Sequence, residues 1–294
     1  MSVIFLFPGQ GSQKVGMGAD FADRFETAKE KFAHADAILG RSISEICFKG
    51  PEEALKSTEN TQPALFVVEA IISDTLRKMG ISPSFCMGHS LGEYSALYSA
   101  GVLSFEDGLK LVAARGALMA KAGKESPGAM AAVVGMERDQ IAQVLSGLNN
   151  GIVVPANENS PDQTVISGEV AAVNKACEAL KAAGAKRAIP LPVSGAFHSP
   201  LMQGAADEFK SHIEKVTFAA PQCPVITNVT AQPESDPTLI SQLLLKQLVS
   251  PVRWVASVQA AVSQGITSWY ELGPGNVLQG LVKKIAPQVN VVPC

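Results

Sequence analysis

The pentapeptide Gly88-His89-Ser90-Leu91-Gly92 restricts the fold more than any other stretch of the sequence. It follows the short apolar run "SFCM" and runs into "EYSALYSA", which reads as a helix. A serine between two glycines at a strand-to-helix junction is the pattern of a nucleophile elbow, a turn too sharp for a Cβ at its flanks. Such a turn needs a strand feeding a helix, which points to an α/β architecture. It also places the Leu91 backbone N–H at a helix N-terminus, aimed at any oxygen that gains charge when Ser90 attacks a carbonyl. A plainer reading, Ser90 as a helix cap, stays open at this point.

The rest of the chain fits that architecture. "VIFLF" (3–7) reads as a buried strand closed by the loop "PGQGSQ". Phe21, Phe25, Ala28 and Phe32 fall on one face of a single following helix. Thr61 is expected to cap the next helix, with Pro63 in its first turn and Gly80 after its end. Ser104 and Asp107 have capping-box spacing at the start of "SFEDGLKLVAARGALMAKAG". The middle segments, from "GAMAAVVG" (128–135) to "KRAIPL" (186–191), read as strand, helix, strand, strand, helix, strand. That order is the ferredoxin-like βαββαβ plan. After it come a helix from Pro200, a strand at "CPVITN", two helices, a strand at "SWYEL" and a helix after Pro274-Gly275. The expected fold is an α/β-hydrolase-like domain with a parallel-sheet core, built from 1–126 and 193–294, carrying an inserted ferredoxin-like subdomain at 127–192.

With 294 residues, 47% of them hydrophobic, the chain can bury a large core. A net charge of -3 leaves no electrostatic footprint for nucleic acid. The opening "MSVIFLFPGQGSQ" has no basic leader, and its apolar run stops at Pro8, short of a membrane span. A cytoplasmic protein without membrane association is expected. Five scattered cysteines, Cys47, Cys86, Cys177, Cys223 and Cys294, read as reduced thiols. They and the four histidines show no metal-ligand spacing, so neither a metal site nor a cofactor is expected.

A serine nucleophile needs a base. His89 adjoins Ser90 and is expected to point away, while His34 and His212 fall in helices. His198 lies in "VSGAFHSP", a loop of the kind that presents functional side chains. The loop "PGQGSQ" matches neither a dinucleotide fingerprint nor a P-loop, and could instead supply the Gln10 N–H as a second oxyanion donor, or be an ordinary tight turn.

Together "FPGQGSQ", "GHSLGEYSAL", "GAMAAVVG", "SGAFHSPLM" and "ELGPG", in this order and over nearly the whole length, resemble the malonyl-CoA:acyl carrier protein transacylases, the stand-alone acyltransferases of bacterial-type fatty acid synthesis. The resemblance implies that Ser90 carries the malonyl group as an ester and that His198 is the base. It implies an oxyanion hole from the N–H groups of Leu91 and Gln10, and a backbone carbonyl at Gln247 that orients His198 where a hydrolase uses an acid. Arg115 would grip the malonyl carboxylate, with Leu91 and Phe197 narrowing the acyl pocket. Asn157, Asn159 and Arg187 match positions that touch the CoA or pantetheine arm. The implied partners are malonyl-CoA and holo acyl carrier protein. Positive charge steers such encounters, so Lys186 and Arg187 could face the carrier's acidic surface, or be ordinary solvated charges.

Two other functions share parts of this pattern. A serine esterase or thioesterase would pass the acyl group to water, and should carry an acid between Ser90 and His198. Asp162 is the one acid there in a clear loop context. A non-catalytic carrier-docking module would keep the elbow as structure only, but would not need Ser90, His198, Arg115 and the glycine loop together.

Overall fold

The computed structural model describes residues 2–149, 151–193 and 195–294. At its centre lies β1 (Val3–Phe7), buried along its whole length. Val3, Phe5 and Phe7 join the apolar cluster on one face, and Ile4 and Leu6 join the cluster on the other. A strand covered on both faces has no polar side, which is why it reads as an unbroken apolar run.

From β1 the chain forms α1 (Ala19–Arg24), α2 (Glu26–Leu39), α3 (Ile43–Lys49), α4 (Glu52–Lys56) and the long α5 (Thr58–Lys78). Next come β2 (Phe85–Gly88), α6 (Gly92–Ser99) and α7 (Phe105–Glu125). A second unit contains β3 (Gly128–Val134), α8 (Arg138–Ser146), β4 (Val153–Ser160), β5 (Gln163–Glu169), α9 (Val170–Ala182) and β6 (Arg187–Pro190). The chain continues with a 3-10 turn at Pro200–Met202, α10 (Gln203–Ile213), β7 (Val225–Ile226), β8 (Pro233–Glu234) and α11 (Pro237–Gln247). It finishes with α12 (Trp254–Ser263), β9 (Ser268–Glu271), α13 (Val277–Ile285) and β10 (Val291–Pro293).

The larger sheet has the order β10-β9-β1-β2-β7-β8, parallel except for the short antiparallel β8. The carboxyl ends of β1, β2 and β7 therefore open on one edge, the usual location for sites in such sheets. Gln10, Ser90 and Asn228 follow those three ends.

The smaller sheet is antiparallel, in the order β4-β5-β3-β6. Side chains alternate across it. Ala131, Val133 and Ile166 pack with Ile141, Val173 and Leu180 of the two helices, whereas Met130, Ala132 and Val165 pack with Met119 of α7, Phe197 and Met202. Its second face is thus turned toward the site edge. Backbone hydrogen bonds fix it there: Val252 N–H donates to the Ala156 carbonyl at 2.8 Å, and Glu158 N–H donates to the Val252 carbonyl at 2.9 Å. Among the described residues, no helix is long and apolar enough to cross a membrane.

Several local expectations need correction. The helix expected through Phe21 to Phe32 is two helices, because Phe25 is extended, at φ −128°, and its N–H closes α1 on the Phe21 carbonyl. Side-chain spacing registers a face, not one backbone break within it. Thr61 does not cap α5. The helix starts earlier, at Thr58, and the Thr61 hydroxyl donates to the Leu55 carbonyl. Pro63 is then interior, with no N–H to give the Glu59 carbonyl four residues back, and Arg41 Nη2 donates to that carbonyl at 2.8 Å instead. The expected cap at Ser104 is present, its oxygen accepting from Asp107 N–H at 3.0 Å.

Candidate active site

The elbow is held by close approach. A Cβ on Gly88 would overlap the backbone of Gly92, and one on Gly92 would overlap the carbonyl of Phe7 at the end of β1. Ser90 takes φ 52°, the left-handed region that non-glycine residues rarely occupy. Asn228, after β7, locks this conformation by accepting from Ser90 N–H at 2.7 Å and donating its amide to the Gly88 carbonyl at 2.6 Å. The N–H groups of Leu91 and Gln10 have no hydrogen-bond partner among the described residues.

His198 meets the elbow from the other side, also at positive φ, 59°. Its Nε2 lies 2.7 Å from Ser90 Oγ, and its Nδ1 lies 2.9 Å from the Gln247 carbonyl and 3.2 Å from that of Ser250. Two carbonyls can only accept, so Nδ1 carries the hydrogen and Nε2 is free to accept from the serine. Burial, reinforced by the Arg115 charge, pushes the His198 pKa down to about 3. The ring is therefore neutral.

Arg115 is buried beside the same hydroxyl, 1% exposed. Its Nη2 donates to Ser90 Oγ at 3.0 Å and to Gln247 Oε1 at 2.9 Å, and its Nη1 donates to Gln62 Oε1 at 2.9 Å. Among the described residues it forms no ion pair, and its Nε has no partner. Gln247 Nε2 donates to the Ser90 carbonyl at 2.9 Å and to Glu93 Oε2 at 2.6 Å. Burial raises the Glu93 carboxyl to about 7.

A cavity of about 170 Å³ opens over Ser90. Gln10, Arg115, Asn157, Asn159, Phe197 and His198 line it, together with an apolar wall that includes Met119 and Met130. Three expectations fail here. The Leu91 side chain is 1% exposed and packed in the core on one face of the large sheet, so it does not form the acyl wall; its place is taken by methionines of α7 and β3. Arg187 is exposed on β6 and outside the cavity, roughly 13 Å along the strand from cavity-lining Leu191 at 3.3 Å per residue. His89 does not point away, but lines the cavity, with Nε2 2.8 Å from Asn159 Oδ1 and its ring 5.6 Å from that of Trp254.

His34 and His212 are exposed on α2 and α10. Asp162 pairs with Lys284 and Ser160, whereas His198 Nδ1 faces only carbonyls. Sequence reasoning missed Gln62, Glu93 and Asn228. Glu93 carried a faint signal, an acid one position beyond the elbow in a helix otherwise buried; Gln62 and Asn228 carried none.

The acyl transferase domain family matches residues 4–292. The malonyl CoA-acyl carrier protein transacylase of Escherichia coli strain K12 is 46% identical over 283 residues, 96% of this chain and 92% of the relative. That of Bacillus subtilis strain 168 is 42% identical over 292 residues, 99% of this chain and 92% of the relative. Among solved structures, an acyl carrier protein S-malonyltransferase from Vibrio cholerae superposes with a TM-score of 0.97 at 44% identity, covering 100% of this chain and 97% of that one. A malonyl-transacylase in complex with a type II polyketide acyl carrier protein also gives 0.97, at 42% identity, covering 100% and 96%.

Proposed function

This chain belongs to the acyl transferase domain family, and on that premise we propose that its reaction runs through a malonyl ester on Ser90. The chain is an acyltransferase that moves malonyl from malonyl-CoA to acyl carrier protein. The observation that carries the mechanism is one hydroxyl, Ser90 Oγ, held both by a neutral imidazole at 2.7 Å and by a buried guanidinium at 3.0 Å that forms no ion pair among the described residues. The imidazole supplies a base, and the guanidinium awaits a carboxylate.

Ser90 Oγ attacks the thioester carbon while His198 Nε2 takes its proton. The N–H groups of Leu91 and Gln10 receive the developing oxyanion. As the tetrahedral species collapses, the C–S bond breaks and His198 returns the proton to the CoA thiolate. The phosphopantetheine thiol of the holo carrier then gives a proton to His198 and attacks the malonyl ester; the C–Oγ bond breaks, and His198 returns that proton to Ser90 Oγ. The carbonyls of Gln247 and Ser250 hold the ring through both halves. Arg115 binds the acyl carboxylate with its planar fork, Phe197 closes the acyl pocket, and Asn157 and Asn159 meet the pantetheine arm. Carbonyls in place of an acid suit exchange between thiols, since a thiolate leaves without a strongly stabilised imidazolium.

The same reading takes 127–192 as a ferredoxin-like subdomain inserted into an α/β-hydrolase-like catalytic domain of 1–126 and 193–294. It places the enzyme in the cytoplasm, in fatty acid synthesis, with no cofactor, and turns exposed Lys186 and Arg187 toward the carrier. Incubation with malonyl-CoA alone should add a malonyl mass to the Ser90 peptide, lost in Ser90→Ala and discharged by holo carrier. Release of CoA without any adduct, at a rate indifferent to carrier, would favour a hydrolase.

A further inference from the structure

A guanidinium has donors and no acceptor, so Arg115 requires both flanking amides, Gln62 and Gln247, to present oxygen. An amide's oxygen and NH2 ends have nearly the same shape, so orientation is set by what lies at the far end. For Gln247 the far end meets two acceptors, the Ser90 carbonyl and the Glu93 carboxyl. Glu93 is 1% exposed, sits on the first turn of α6, and also accepts from Asn228 N–H at 3.3 Å. No hydrogen bond joins it to Ser90 Oγ, His198 or Arg115 among the described residues.

We infer that Glu93 is a positioning residue for acyl selection: it fixes the Gln247 amide with oxygen toward Arg115, and so holds the guanidinium over Ser90 without contacting it. The amide spacer matters. A carboxylate in direct contact with Arg115 would compete with the carboxylate of the acyl group, whereas one set behind an amide orients the cation and leaves its fork unneutralised. Loss of Glu93 leaves the Ser90 carbonyl as the one far-end acceptor for the Gln247 NH2 among the described residues, so the amide is held less firmly and Arg115 loses its fixed place over Ser90. The inference rests on the reading of Arg115 as the acyl-carboxylate clamp.

The test compares kcat/KM for malonyl-CoA and acetyl-CoA. Glu93→Met keeps bulk and removes the acceptor; it should lower the malonyl-over-acetyl preference about tenfold or more, with the loss falling mainly on malonyl. Glu93→Gln, whose amide oxygen can still accept, should restore most of the preference. Combined with Arg115→Ala, Glu93→Met should change the preference no further, because the two substitutions act on one link. Equal losses for both substrates, or additive effects in the Arg115→Ala background, overturn the inference. If Glu93→Met does not fold, Gln247→Leu cuts the same link from the other side and must give the same loss of preference. A wild type that forms no malonyl adduct at all would fail the proposed function instead, a result separable from the variant series.

Discussion

Arg115 makes three hydrogen bonds, all to neutral groups, although it is buried. A buried cation with no acid in direct contact is costly, and the carboxylate of a diacid acyl group supplies that contact. Arg115→Ala should therefore lower kcat/KM for malonyl-CoA on the order of a hundredfold, the ~1.5–3 kcal/mol of a hydrogen bond to a charged group. Acetyl transfer should fall far less, as initial rates with the two thioesters will show; an unchanged ratio removes Arg115 from acyl recognition. Ser90 and His198 were legible as candidates because the elbow and its loop histidine are short, local patterns, whereas Arg115 entered only through the resemblance of the whole chain to a family. Gln62 and Asn228 were not legible, and Glu93 only faintly, because each acts on a residue distant in sequence, as Asn228 does on Ser90. The Leu91 side chain misled for a related reason. Its backbone faces the site while its side chain enters the core, a division that the sequence does not display.

At the scale of elements, the elbow was the most legible part of the fold. Its two glycines are demanded by backbone within the same turn and by the neighbouring strand, so composition alone marked the junction. Gly92→Ala puts a methyl group against the Phe7 carbonyl, where no flexible side chain can yield. The expected cost is about 3 kcal/mol or more, read as a lowered denaturation midpoint, with loss of Ser90 acylation in whatever protein remains folded. A midpoint within error of wild type would mean that β1 and α6 are not in this close contact. Elsewhere the local signals were weaker. Pro63 looked like a first-turn residue, but Arg41, from the loop after α2, satisfies the carbonyl that Pro63 leaves open. That compensation comes from outside the helix, so helix-start rules placed the boundary wrongly.

Across the whole molecule, two buried site groups titrate with opposite effects on stability. His198 is shifted from 6.5 down to about 3, so its contribution is present above pH 6.5 and is lost as pH falls toward 3. Glu93 is shifted from 4.5 up to about 7, so its contribution is present below pH 4.5 and is lost as pH rises through 7. Between pH 4.5 and 6.5 the two slopes oppose each other, each up to about 1.4 kcal/mol per pH unit. Denaturant titrations over that window should show stability rising with pH in Glu93→Gln and falling in His198→Gln. Parallel profiles in the two variants would contradict these assignments. The alternation of strands and helices around the elbow, with Ser90 and His198 as candidate nucleophile and base, was determined by the sequence itself, because apolar periodicity and glycine-flanked turns act over a few residues; the break at Phe25 and the elements α3, α4, β8 and β10 were not. Tertiary structure alone decided which face of the small sheet closes the cavity, which methionines wall it, and how Glu93 and Gln247 aim Arg115. Those outcomes depend on hydrogen bonds and packing between segments far apart in the chain, whose geometry exists only once both sheets have assembled.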